Sequence, residues 1–313
     1  MAWTERGVGL FACATAMVVL AAIAVVLRFI SRGYVLRRLG WTDCCIVITL
    51  LFSIANTVGV AMHITHGLGR HRTTITRDEV EGYRFWMYIN IIIGGTSLLL
   101  TKISILLLFL DVFVINRARK VTYFFLTLVI CYGIYLLTSN ILFCIPISSF
   151  WELAASKDRC LSADAKYYAD AVVNIALDFS IFCIPIPVVR AMTLPWRQKL
   201  WLYFVFTLGF FVCLVSCIRL HFLWYVNNSP DKPFEGTHMA YWSTIEMNVA
   251  IILACIPTLK PLMIKICPWV LNSIAAPNSS SQIPTLHCGR GSLGGVSPEP
   301  RNVGGVDPEM RMV

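Results

Sequence analysis

The chain has 313 residues, 57% of them hydrophobic and only 14% charged, with a mean hydropathy of +0.71. That balance excludes an ordinary soluble domain, in which about a quarter of the residues are charged. The formal net charge of +9 does not point to nucleic acid, because no basic run forms a soluble face; its distribution is that of a membrane topology signal.

Seven windows are long and apolar enough to span about 30 Å of hydrocarbon. They run from Gly7 to Leu27, Cys44 to His63, Phe85 to Leu110, Val121 to Cys144, Tyr168 to Val189, Leu200 to Val226 and Met239 to Leu259. The expected fold is all-α, a seven-transmembrane helix bundle over residues 7–266, with a short terminus at 1–6 and a tail at 267–313 rich in Gly, Pro and Ser and expected to be disordered. The first window reads as a span and not a cleaved signal, since its uncharged run is full length and arginines follow it. Arg28, Arg32, Arg37 and Arg38 fill the first connection, Arg117, Arg119 and Lys120 the third, and Arg190, Arg197 and Lys199 the fifth, whereas the second, fourth and sixth mix signs. The positive-inside rule then places the amino terminus outside and the carboxyl terminus in the cytosol, with the plasma membrane as the expected location.

In chain order, helix one is a run of small residues (Ala12, Ala14, Ala16, Ala21, Ala22) that permits close packing and reads as scaffold. Trp41 is an interfacial anchor, and Asp43 a cap favoured by the positive end of the helix-two dipole. At the other end of helix two, His63 and His66 share a face and His71 follows, with Glu79 and Glu81 within reach, so a metal site is one reading. The plainer reading is a helix ended by Gly67 and Gly69 with His71 at the headgroups, and no metal or other cofactor is expected.

Ionisable side chains inside spans are costly and must face protein or water. Lys102 lies about 12 Å from the inner end of helix three and Asp178 about 16 Å from that of helix five, so the two can pair; the alternative is a lysine that snorkels past Leu106. Arg219 and Glu246 both lie about 10 Å below the outer surface, which makes them a second pair and balances two acids against two bases. Asn174, one turn from Asp178, is a candidate polar residue of an interior pocket, as are Asn248, two residues from Glu246 and so on a different face, and His221, for which a proton relay is one reading and an interfacial imidazole the plainer one. Pro185 and Pro187 kink or end helix five, and Pro257 and Pro261 bend or end helix seven. Of the 12 cysteines, only Cys144 and Cys160 fall on the oxidising side, which leaves a disulfide closing the fourth connection or two buried free thiols. Two sequons occur. Asn227 is a weak glycosylation candidate near the membrane, while Asn278 is expected to be cytosolic and unmodified.

Several fragments in fixed order resemble the fungal rhodopsin-like domain family of seven-helix integral membrane proteins, which includes pathogenesis-related receptor-like proteins and membrane proteins of mycotoxin gene clusters. The fragments are Leu39-Gly40-Trp41 with Asp43, Gly67-Leu68-Gly69-Arg70-His71, Lys102 with Ser104, Cys144-x-Pro146 with Trp151 and Cys160, Asn174 with Asp178 before Pro185-Ile186-Pro187, Gly209 through Cys213 to Arg219, and Ile245-Glu246-x-Asn248 before Cys255-x-Pro257. The resemblance runs from about Val26 to Ile264, with Thr42 a departure where the family carries a second acid. It implies a receptor-like fold and location. Retinal is not implied, because helix seven has no lysine until Lys260 at its end.

Two functions lead, with a transporter or proton-coupled channel, for which no internal inverted repeat is visible, behind them. One is a receptor-like protein that senses a small lipophilic or amphipathic ligand between helices three, five, six and seven and engages a cytosolic signalling partner through its basic inner loops, with membrane lipid around it and no nucleic acid. The other is a membrane-embedded enzyme or accessory protein of a secondary-metabolite cluster, with Asp178 or Glu246 as a proton-transfer group; no motif states a reaction, and catalysis is the less favoured reading.

Overall fold

Threonine caps begin two of the helices at one end of the bundle. Thr4 Oγ1 accepts from the Gly7 amide at 3.3 Å, and Thr76 Oγ1 accepts from the Glu79 amide at 3.4 Å while Glu79 Oε2 accepts from the Thr76 amide at 2.9 Å. Each cap satisfies amides that the first helical turn leaves without partners. The structure, a computed structural model, describes residues 3–35, 40–113, 115–153, 160–190 and 196–266. Arg37, Arg38, Leu39, Cys267, Cys288, Asn278 and the rest of the tail lie outside the described residues.

The helices are α1 (Glu5–Phe29), continued by a π-helical segment (Ile30–Val35), α2 (Trp41–Thr65), α3 (Arg77–Val112), α4 (Asn116–Ile141), α5 (Ala163–Cys183), α6 (Pro185–Arg190), α7 (Trp196–Asn228) and α8 (Lys232–Ile266). Among the described residues there is no strand, and seven helical stretches are long and apolar enough to cross a membrane, with α5 and the start of α6 forming one of them. Helix five breaks at Ile184, as Pro185 and Pro187 require: the first opens α6, where its missing amide costs nothing. The prolines of the last helix do not end it, since α8 continues through Pro257 and Pro261 to Ile266. Several helices overrun the apolar windows. Helix α3 starts at Arg77 and not near Phe85, and α8 at Lys232 and not near Met239, because helical hydrogen bonding continues into the polar margin where hydropathy has already fallen.

One core cluster lies where α1, α2 and α8 meet: Ala21, Ala24, Ile46, Ile251, Ala254 and Cys255 are buried together. The alanines let α1 approach α8 closely, which is how helices associate in lipid, where apolar surface gains nothing by leaving its surroundings. A second cluster joins α3, α4 and α5 through Leu99, Leu106, Val129, Leu136, Leu177 and Ile181. The outward faces carry exposed apolar side chains such as Val19, Ile23, Leu51, Phe124, Ile134 and Phe179, the surface a lipid-facing bundle requires.

At one end, the disulfide end, Cys144 and Cys160 are bonded with an S–S distance of 2.03 Å, and the Leu161 amide donates to Phe143 O at 3.0 Å. The loop they close lays Phe150 and Trp151 against Tyr88 of α3, with Phe85 edge-on to Trp151. Gly67 and Gly69, at φ +111° and +86°, turn the chain from α2 toward α3 in a conformation that side chains resist. The Gly69 amide then donates to Pro233 O at 3.0 Å, tying this link to the start of α8.

At the opposite, arginine-rich end, Arg28 is fully buried. Its Nε donates to Asp43 Oδ1 at 3.0 Å and its Nη1 to Ala254 O at 2.7 Å. Arg32 joins the same carboxylate at 3.2 Å, contacts Thr42, and reaches Asp111 at 3.4 Å. Asp43 also accepts from the Gly40 amide at 3.0 Å, so it is a cap and an ion-pair hub at once. Arg28, read from sequence as a loop cation, is thus a structural staple across α1, α2 and α8.

Candidate functional site

A cavity of about 900 Å³ opens between α2, α3, α4, α5, α7 and α8 toward the disulfide end. The helical rise makes it elongated: its lining runs from Arg77 to Leu99 on α3, about 33 Å, and from Lys232 to Met247 on α8, about 22 Å. Apolar side chains such as Val60, Met87, Leu98, Leu136, Leu223 and Met247 form most of its wall, and Phe150 and Leu153 bring the disulfide-closed loop to its mouth. The Leu153 amide donates to Glu81 Oε1 at 3.0 Å, which fixes that loop to α3.

Beneath this space lies a charge cluster. Lys102 Nζ pairs with Asp178, and Arg219 Nε lies 2.8 Å from Glu246 Oε2, an ion pair set off the hydrogen-bonding direction. Asn174 bridges the two pairs, its Nδ2 donating to Asp178 Oδ2 at 3.2 Å and to Glu246 Oε1 at 3.0 Å. Ser216 Oγ donates to Glu246 Oε1 at 2.7 Å and lies 3.5 Å from Asp178 Oδ2. Four helices, α3, α5, α7 and α8, are therefore joined through six polar side chains. Glu246 is 1% exposed, and so deep a carboxylate is tolerable only with this many donors around it. Asn174 and Arg219 form part of the cavity wall as well, so the cluster is the floor of the cavity.

The other residues singled out from sequence divide. Asn248 does not line the cavity: it is fully buried between α2 and α8, accepting from Ser53 Oγ at 2.8 Å and donating to Thr244 O at 2.9 Å. Its two-residue offset from Glu246 turns it to a different helix face. His221 is exposed on α7 beside Phe222 and Trp224 and does not line the cavity, so the interfacial placement and not the pocket one describes it. The three histidines of the α2–α3 link do not converge. His66 Nδ1 contacts Met62 O at 2.7 Å, His71 Nδ1 contacts Asp231 at 2.7 Å, and His63 is buried against Tyr83. Among the described residues no group of three His, Cys, Asp or Glu side chains is placed to hold a metal. Asn227 lines the cavity with Nδ2 buried, and since a glycan attaches through that nitrogen, the sequon is not an accessible acceptor in this fold.

Some members of the polar interior escape a reading by hydropathy. Lys166 donates to Asn140 Oδ1 at 2.5 Å and to Asp170 Oδ2 at 2.6 Å, although both charges fall near the edge of the fifth window. With Arg28 and Asp43, they show that the buried charge is larger than two acids and two bases. Ser216 sits three residues before Arg219, a spacing that shares a helix face, and that spacing is the signal by which it can be found. Asn56 and Asn90 also line the cavity, and Gly59 is the reason Asn90 fits, since a Cβ there would lie 2.1 Å from Asn90 Oδ1.

A family model described as fungal rhodopsin domain matches residues 27–265. Among curated proteins, the chain is 28% identical to a SAT4 family membrane protein of Emericella nidulans, over 72% of this chain and 55% of that one. It is 26% identical to Receptor GIN3 of Arthrobotrys oligospora, over 84% and 64%, and 23% identical to Fugralins biosynthesis cluster protein 2 of Gibberella zeae, over 78% and 63%. The chain thus spans between 55% and 64% of the length of these relatives. No solved structure matches it. Seven apolar spanning helices and the match over residues 27–265 lead to one assignment: this chain belongs to the fungal rhodopsin domain family of multi-pass membrane proteins.

Proposed function

We propose that the protein is a receptor-like membrane protein that binds a small amphipathic ligand in the cavity between its helices. The observation that carries this reading is the floor of that cavity. Arg219 and Asn174 touch both the cavity and the charge cluster joining α3, α5, α7 and α8, so a ligand resting on them changes the balance of a network that sets how four helices pack. A relative named as a receptor is in keeping with it. In the accompanying topology the disulfide end faces outward at the plasma membrane, the ligand enters past the loop closed by Cys144 and Cys160, and the arginine-rich end meets a cytosolic partner.

Other relatives carry the names of biosynthesis clusters, which keeps the accessory or enzymatic reading as the alternative. Deletion of the gene separates the two. A receptor's loss shifts many transcripts and leaves no single metabolic precursor piling up; accumulation of one precursor with an otherwise unchanged transcript profile overturns the receptor reading in favour of the alternative.

A further inference from the structure

The polar atoms around the cavity that lack a protein partner narrow the chemistry of what it holds. They include His63 Nε2, Arg84 Nη1, both amide atoms of Asn90, Asp170 Oδ1 and Asn227 Nδ2, and all these residues line the cavity. Groups so buried cost free energy unless something hydrogen-bonds to them, and the cost is greatest for the charged ones.

Charge at the mouth is lopsided. Arg72, Arg77, Arg84 and Lys232 all line this end of the cavity, and among the described residues none of their side chains forms an ion pair. Glu81, one turn before Arg84, spends an oxygen on the Leu153 amide. The acids that also line the cavity stand on α5: Asp164, and Asp170, whose charge Lys166 answers at 2.6 Å and whose backbone carbonyl accepts from Tyr132 at 3.1 Å. Arg219, at the floor, is answered by Glu246. Arg84 is therefore a lining cation with no ion pair and with one buried nitrogen that no hydrogen bond reaches, Glu81 acting on it only through space, and Arg72 and Arg77 near the same mouth reinforce it. Below it the wall is apolar over most of a length that suits an extended chain.

We infer that the cavity takes an elongated anionic amphiphile, with a carboxylate or phosphate head on Arg84 and an apolar body running down toward Asn174 and Arg219. A guanidinium offers such a head a planar fork of donors, and the desolvated surroundings strengthen the pair. This rests on the cavity being the ligand site. Two sources present the same chemistry, a free long-chain carboxylic acid and an anionic membrane lipid.

The test uses the purified full chain in nonionic detergent and radiolabelled dodecanoate. Saturable binding is expected, competed by unlabelled dodecanoate and about tenfold or more weaker for methyl dodecanoate, which keeps the chain and loses the charge. Arg84→Gln is expected to bring the acid down to the affinity of the ester, and Arg84→Lys to keep part of the difference. No saturable dodecanoate binding, or equal affinity for acid and ester, or an unchanged Arg84→Gln, overturns the anion assignment. Gly94→Phe tests the underlying reading separately: Gly94 lines the cavity, and a Cβ there meets only Asn56 Oδ1 at 3.7 Å, so the ring has room to fill the space. Loss of both acid and ester in that variant supports the cavity as the site. Retention of both removes the cavity reading, and with it this one. Dioleoyl phosphatidate that competes as well as dodecanoate assigns the head to a membrane lipid, and failure to compete assigns it to a free acid.

Discussion

Two of the buried charge clusters among the described residues are finished differently. At the arginine-rich end, Asp43 takes Arg28, Arg32 and the Gly40 amide, and Arg28 also reaches Ala254 O; Arg28 Nη2 has no partner and Arg32 extends to the exposed Asp111, but none of these residues lines the cavity, so the cluster is closed to it. Beneath the cavity, Lys102, Asp178, Asn174, Ser216, Glu246 and Arg219 also answer one another, but Asn174 and Arg219 border open space, and higher up that space are polar atoms with no protein partner. A closed cluster fixes one arrangement of helices. An open one leaves an arrangement that something else can shift, and that difference separates scaffold from site.

Breaking the closed cluster has the largest effect expected. Arg28→Ala leaves Asp43 short of its most buried partner and costs about 3–5 kcal/mol; fluorescence-detected size exclusion of the variant shows loss of the monodisperse peak. A peak and melting temperature like wild type would mean that the end is not a staple. Next comes the open cluster. Glu246→Ala strands Arg219 and is expected to cost about 3 kcal/mol, while the exchange of Arg219→Glu with Glu246→Arg recovers part of it in a thermal melt; single variants and exchange all as stable as wild type would contradict the pairing. Cys144→Ser opens the loop at the cavity mouth and lowers stability by about 2–3 kcal/mol on loop-closure grounds, read from the same melt with and without reductant.

The smallest effect is a pH dependence at the disulfide end. Partial burial pushes the Asp231 carboxyl up, but hydrogen bonds from His71 and from the Arg72 amide outweigh it and hold the group below its ordinary value. A carboxylate with a depressed folded value contributes stability that is fully present above its unfolded pKa of about 3.9 and is lost as pH falls through the folded value. The wild-type melt is therefore expected to drop below about pH 4 by a step, within about 1 kcal/mol, that Asp231→Asn lacks. An identical acid profile in both would remove Asp231 from the latch between the α2–α3 link and α8.

Much of this was legible in the sequence because depth in a membrane is countable. Residue counts from the window ends set Lys102 against Asp178 and Arg219 against Glu246, and the side chains meet in those pairs. Proline chemistry marked the break before Pro185, and topology left Cys144 and Cys160 together. What the sequence hid has physical reasons. Arg28 follows an apolar run and counts as a loop cation, but α1 runs on to Phe29 and holds Arg28 inside, against Ala254. Lys166 and Asp170 fall at a window edge, where hydropathy averages them away. Asn248 and His221 need the rotation of a helix about its own axis, which composition does not state. A cavity is the space that side chains on six helices do not fill, and it has no residues of its own to read.

The central claim is that this cavity is where the protein meets its ligand, and complementation with a filled cavity tests it most directly. A deletion strain carrying Gly94→Phe, with the variant inserted in the membrane at wild-type levels, is predicted to keep the transcript profile of the deletion. A profile restored to that of the wild-type gene would contradict the claim.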